Sequence, residues 1–253
     1  MRSIFATYDW SLLWDNRAAL LDGLKLAIEV SIVALLLSTL VGLILALMRM
    51  SAPPLSWLGA AYVNIFRGVP ALVSVIWVYF GLSLVLGIEF STFQAGVIAL
   101  TLLYSAFIAE IYRSALGAVP RGQREAGLAL GMHPIRVFAS VTLPQATKIA
   151  IPNIGSMFIG MVKDTSTFTV IGLTEVVRVT QNINSTYFQP FVLYTGAAAL
   201  YVLVAFLIDF VFRAIEKVME SPPKGRVALL ITGRKRRRIE AVIDRAGVAS
   251  QAT

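Results

Sequence analysis

The 253-residue sequence contains no cysteine and a single histidine, His133, and only 14% of its residues are charged. The missing cysteines exclude disulfides, thiolate metal sites and cysteine nucleophiles. A lone histidine argues against a histidine-built metal centre or a Ser-His-Asp triad. No glycine is followed by lysine, so the phosphate-binding loop of an ATPase is missing too. Soluble domains carry about 25% charged residues, so this chain has too few to coat a water-facing surface. Apolar residues are abundant instead, at 57% of the chain, with a mean hydropathy of +0.77. The few charges are biased: 22 Lys+Arg stand against 14 Asp+Glu, a net charge of +8. Sparse charge with a basic excess indicates an integral membrane protein with basic loops, since a nucleic-acid patch normally sits on a polar chain.

A bilayer-crossing helix needs about 20 mostly apolar residues. Val30–Met48, Val69–Ile88, Phe90–Ala109 and Phe188–Ile208 meet this without a charge, and Ile149–Thr174 meets it with Lys163 and Asp164 inside. The pattern predicts an all-α integral membrane protein with five spans, near 24–48, 69–88, 90–112, 149–174 and 188–212. The second and third are close enough to form a tight hairpin. Placing the N-terminus outside puts 17 of the 22 Lys+Arg on the cytoplasmic side. Only Arg2, Arg17, Lys25 and Arg178 then lie outside, and Lys163 lies in the membrane. The positive-inside rule therefore predicts N-out, C-in. Asp9 and Asp15 interrupt any signal-peptide core. Tyr8, Trp10 and Trp14 read either as a segment lying in the outer interface or as a plain leader to the first span.

The longest loop between spans runs over 113–148. Pro120 and Gly122 predict a turn, and 123–130 a short helix. Gly131 suits the left-handed residue that closes it. Pro134 suits the first turn of a second short helix, and Leu143-Pro144 is expected to end that helix and begin the return into the membrane. Within this loop stand Gln123, Glu125-Ala126-Gly127, then three residues and Gly131, then nine residues and Val141-Thr142-Leu143-Pro144. This spacing resembles the EAA loop of ABC importer permeases, with Gly127 in place of the second alanine and Val141 in place of isoleucine.

Several other segments resemble the polar amino-acid uptake branch of that family, over roughly residues 15–220. They are the stretch from Tyr62 through Arg67-Gly68-Val69-Pro70, the stretch Glu110 to Arg113, and Lys163-Asp164-Thr165-Ser166 followed by Ile171-Gly172-Leu173-Thr174-Glu175. The resemblance implies a type I ABC importer permease bundle in a bacterial cytoplasmic (inner) membrane. It implies ABC ATPase subunits as partners, which use ATP and Mg while this chain binds no cofactor. It also implies a second permease copy or related subunit, an extracytoplasmic amino-acid-binding protein, and an amino-acid substrate. The loop helix carrying Gln123, Glu125, Ala126 and Gly127, with Gly131, Leu143 and Pro144, would couple to the ATPase, the small residues permitting close approach. The plainer alternative is a surface loop whose Glu125 pairs with Arg121 or Arg124.

A charge at the centre of a span costs roughly 2.5–3.5 kcal/mol on insertion scales. Lys163 and Asp164, with Thr165 and Ser166, therefore read as a translocation pathway or gate, or else as a structural pair or cap. Adjacent helical residues point about 100° apart, so Lys163 and Asp164 need not be each other's partner. Glu110 and Arg113, three apart, share a helix face and read first as a structural pair, with a gating role as the alternative. Arg67 and Pro70 read first as membrane anchoring. Asp209 is placed to pair with Arg213. Beyond 220 the composition changes, and Arg234, Lys235, Arg236, Arg237 and Arg238 read as a solvated tail reinforcing topology, or as a contact with anionic membrane lipids more than with nucleic acid. The competing function classes are a channel or secondary carrier with a basic tail, and a membrane enzyme, for which no catalytic constellation is present.

Overall fold

Long apolar runs become long helices in the computed structural model, which describes residues 8–220. Helix α1 (Ser11–Asp15) is one short turn, and α2 (Arg17–Arg49) follows it after a single residue. Helix α3 (Leu55–Gly68) meets α4 (Ala71–Leu86) at a bend of 106°. Pro70 supplies the break: its extended backbone, φ −63° and ψ 147°, forms the N-cap of α4. A π turn over Trp77–Leu82 interrupts α4, and Gly87 ends it in the left-handed conformation with φ 66°. Helix α5 (Thr92–Ala118) opens on a capping box. Ser91 Oγ accepts from the Gln94 amide at 3.2 Å, and Gln94 Oε1 accepts from the Ser91 amide at 3.0 Å.

Helices α6 (Arg121–Ala129) and α7 (Pro134–Val137) form the hairpin that follows. A π turn over Phe138–Thr142 carries α7 into α8 (Leu143–Asp164) without leaving helical backbone. Leu143-Pro144 was expected to divide these segments. Pro144 instead stands at the second position of α8, directly after the π turn. The loop between membrane helices is thus shorter than the expected 113–148, because α5 and α8 both extend into it. A 3₁₀ segment, Thr165–Ile171, then replaces the second half of the expected fourth span. Helices α9 (Val176–Tyr187) and α10 (Pro190–Glu220) complete the described chain.

Helix α5 is central. Its apolar stretch is 61% buried, against 39% for α2 and 22% for α10. Leu100, Leu103 and Ile108 of α5 share one core with Val30 and Ala34 of α2, Phe158 and Met161 of α8, and Phe168 of the 3₁₀ segment. Close approach of α2 and α5 needs Gly42, where a Cβ would stand 2.9 Å from Ile108 Cγ2. Tyr62 fastens α3 to α5, its hydroxyl donating to Leu102 O at 3.1 Å and lying 2.9 Å from Ser105 Oγ. Tyr8 and Trp10 pack on Phe191 at the start of α10, with ring centroids 4.9 and 6.2 Å away.

Among the described residues, α2, α5 and α10 are each long and apolar enough to cross a membrane, and α3 with α4 passes the same test as one bent pair. Helix α8 falls short because Lys148, Asn153, Lys163 and Asp164 dilute its apolar residues. The chain divides into two compact units, Met1–Arg213 and Ala214–Thr253. The first holds α1 to α9 and most of α10. Of the second, the described part is the end of α10.

Candidate functional site

The hairpin of α6 and α7 is built by its punctuation. Gly131 closes α6 with φ 76°, as its position predicted. Pro134 opens α7 behind His133, whose Nδ1 accepts from the Ile135 amide at 3.4 Å. Gly127 is buried where the two helices cross, and a Cβ there would stand 2.9 Å from Val137 Cγ2. Its small size therefore serves packing inside the hairpin, a correction to the expectation that it lets a partner approach. Gln123, Glu125, Ala126 and Gly131 are exposed, as are Leu143 and Pro144. Glu125 makes no ion pair with Arg121 or Arg124, so the plain paired-surface reading does not describe it. Large apolar side chains stand out beside it, with Leu130 82% and Ile135 72% exposed.

Glu110 is the node at the nearby end of the helix bundle. It accepts from Arg113 Nε at 2.9 Å and pairs with Arg49 at the end of α2. The Glu110–Arg113 pair was legible in the three-residue spacing. Arg49, 61 positions away, was not, because no local spacing links it to Glu110. Arg67 lies nearby, its guanidinium 5.5 Å from the Phe107 ring centroid. Arg67 and Glu110 line one cavity of about 380 Å³ with Asn153 and Met157 of α8. Three arginines around one glutamate leave this end of the bundle net positive.

The polar break in α8 lies elsewhere. Asp164 is eleven residues beyond Asn153, roughly 16 Å of helical rise. Asp164 is half-buried and accepts from the Tyr104 hydroxyl at 3.0 Å. Lys163 is exposed and not paired with Asp164. Thr165 is buried, donating to Val162 O at 2.7 Å, and Ser166 is partly buried. The break is therefore not a Lys–Asp pair. It is a helix end tied to α5 through one tyrosine.

A second carboxylate, Glu175, went unrecognised in the sequence as a structural residue. It is fully buried and caps α9, accepting from the Val177 amide at 2.7 Å and the Arg178 amide at 2.9 Å. Tyr201 of α10 donates to it at 2.7 Å. The available signal was a carboxylate directly before Val176, Val179 and Ile183, the buried stripe of an amphipathic helix. Asp209 accepts from Arg213 Nε at 2.7 Å, as their spacing predicted. Arg234 to Arg238 lie outside the described residues.

The exposed hairpin helix and the all-helical apolar body of the described residues are accompanied by a match to one family. Residues 38–221 match the binding-protein-dependent transport system inner membrane component family. The chain belongs to that family. Curated relatives of this permease span nearly their whole length in the match. The probable glutamine ABC transporter permease protein GlnM of Bacillus subtilis is 34% identical over 83% of this chain and 98% of its own. The glutamine transport system permease protein GlnP of Escherichia coli is 30% identical over 84% and 98%. The arginine transport system permease protein ArtQ of Bacillus subtilis is 31% identical over 80% and 93%. Among solved structures, an amino acid ABC transporter with histidines superposes with a TM-score of 0.77, at 31% identity over 83% of this chain and 98% of that one. The inward-facing MetNI methionine ABC transporter shares the fold, with a TM-score of 0.71 at 22% identity. Membership of this family decides against the channel or secondary-carrier reading.

Proposed function

We propose that this permease is the pore-forming subunit of an ATP-driven importer for polar amino acids in a bacterial cytoplasmic membrane. An extracytoplasmic binding protein delivers the substrate, and two cytoplasmic ATPase subunits drive the cycle with ATP and Mg. A second copy or a related permease completes the pore. The chain crosses the membrane five times, N-terminus out and C-terminus in, with α3–α4 as the bent second span and α8 as the fourth. Full-length likeness to glutamine and arginine permeases supports the substrate class. The basic bias of the loops supports the orientation.

One observation carries the coupling role. The α6–α7 hairpin is sealed from within at Gly127 and Val137, yet presents Glu125 and Ala126 outward, Glu125 with no ion pair among the described residues. A carboxylate so placed suits an arginine or backbone amides of the ATPase. Lys163, Asp164, Thr165 and Ser166 line the pathway or its gate in this reading, because a polar helix end inside the membrane belongs beside a water-filled route.

Reconstitution with the ATPase and binding protein tests it. Glu125→Ala should reduce ATP-driven amino-acid uptake at least tenfold while leaving the thermal unfolding midpoint of the permease in place. Uptake that survives ATP depletion, or full activity in Glu125→Ala, would sink the reading.

A further inference from the structure

A second cavity, of about 540 Å³, lies between the end of α5 and the α6–α7 hairpin. Its walls are apolar: Met50, Leu116, Val119, Val137 and Phe138. Arg121 and Arg124 also line it, and neither forms an ion pair with a described residue. The cavity's level is fixed by two helices long and apolar enough to span a membrane. Met50 follows the last residue of α2, and Leu116 lies in the last turn of α5. In the proposed orientation the cavity therefore lies at the cytoplasmic ends of two membrane-crossing helices, on the headgroup side of the bundle.

We infer that this cavity is a binding site for one anionic phospholipid of the leaflet that faces the ATPase. The phosphate sits between the Arg121 and Arg124 guanidiniums, and the upper part of an acyl chain enters the apolar cavity. The chemistry suits both parts of a lipid: exposed arginines without an ion pair among the described residues, and apolar walls beside them. Basic pockets beside membrane helices on the cytoplasmic side recognise such lipids, and the volume falls in the range that holds one small ligand. Arg121 and Arg124 lie within one turn on α6, with Glu125 about 40° round from Arg121 and Ala126 nearly opposite the pair at about 100° per residue. Bound lipid would brace the root of the hairpin beside Glu125 and leave Ala126 uncovered. Assignment to the inner leaflet rests on the proposed orientation.

Gly117 offers a clean test, because it lines the cavity and a Cβ there meets nothing within 4 Å. The importer complex is placed in phosphatidylcholine nanodiscs, titrated with phosphatidylglycerol, and its retained lipid counted by native mass spectrometry. Wild type should hold phosphatidylglycerol. Arg121→Gln with Arg124→Gln should weaken it roughly 25-fold, about fivefold for each arginine. Gly117→Leu fills the cavity with both arginines present, and should also release the lipid. Millimolar inorganic phosphate should not compete. Equal retention in all three proteins would overturn the proposal, as would displacement by phosphate, which marks a site for a free anion. Loss of ATP-driven uptake in wild type at every lipid composition would instead strike the importer reading, since lipid retention is measured without transport.

Discussion

Glu175 and Glu110 are both carboxylates held inside the helix bundle, and they are held in opposite ways. Glu175 is fully buried and its partners are neutral: two backbone amides of its own helix and the Tyr201 hydroxyl. Glu110 keeps 22% of its side chain exposed and its partners are charged: Arg49 from α2 and Arg113 from its own helix. The first arrangement defines a helix start and fixes it to α10. The second ties two helices together through charge beside the hairpin that carries Glu125. Packing is hard to remake, whereas ion pairs at a half-wet surface exchange partners at small cost. The difference places the rigid joint at α9 and the adjustable one beside the α6–α7 hairpin.

The comparison makes its largest prediction at Glu175. Replacing it with alanine removes the α9 cap and one partner of the partly buried Tyr201 hydroxyl, and should destabilise the permease by about 2–3 kcal/mol. Thermal unfolding in detergent measures this. Glu175→Gln should recover part of the loss, because an amide oxygen still accepts one backbone N–H.

Glu110→Gln should cost less, about 1–2 kcal/mol, since Arg49 and Arg113 remain close together but reach solvent. Its signature is salt. The stability gap between wild type and Glu110→Gln should narrow as ionic strength rises from 0.05 to about 1 M, where the Debye length falls to about 3 Å. The gap for Glu175→Ala should not. A salt-insensitive Glu110 would break the contrast.

The smallest stability effect belongs to the hairpin. Gly127→Ala drives a methyl toward Val137 and should cost about 1 kcal/mol. ATP-driven uptake should fall further than stability does, because the hairpin opens at its crossing. Gly127→Ala with Val137→Ala restores the space and should return part of the uptake. No rescue would mean that Gly127 acts through a partner surface instead.

Much of this fold is legible in the sequence because a membrane allows few alternatives. Helices α2, α5 and α10 announce themselves as long uncharged runs, and Pro120, Gly131 and Pro134 punctuate the hairpin where the structure turns. What escapes is set by distance along the chain. Arg49 finds Glu110 across 61 positions, and Tyr104 finds Asp164 across 60. No local period carries such pairs. Helix α3 escapes for another reason. Its apolar residues blend into the next run, and only the geometry at Pro70 separates two directions of travel. The change of form within 149–174 escapes too, because the hydroxyl-rich stretch over 165–171 is compatible with either an α-helix or the tighter 3₁₀ turn that forms.

The unbroken passage from α7 into α8 has a mechanical consequence. Helix α8 has 22 residues, or about 33 Å at 1.5 Å per residue. A rod of that length, tilted by about 10° at its Leu143 end, swings its Asp164 end by about 6 Å. That exceeds the 3.0 Å separating Asp164 from Tyr104. Were α8 to move as one body, with no give at its internal Pro152, a modest rocking of the hairpin would unfasten that hydrogen bond.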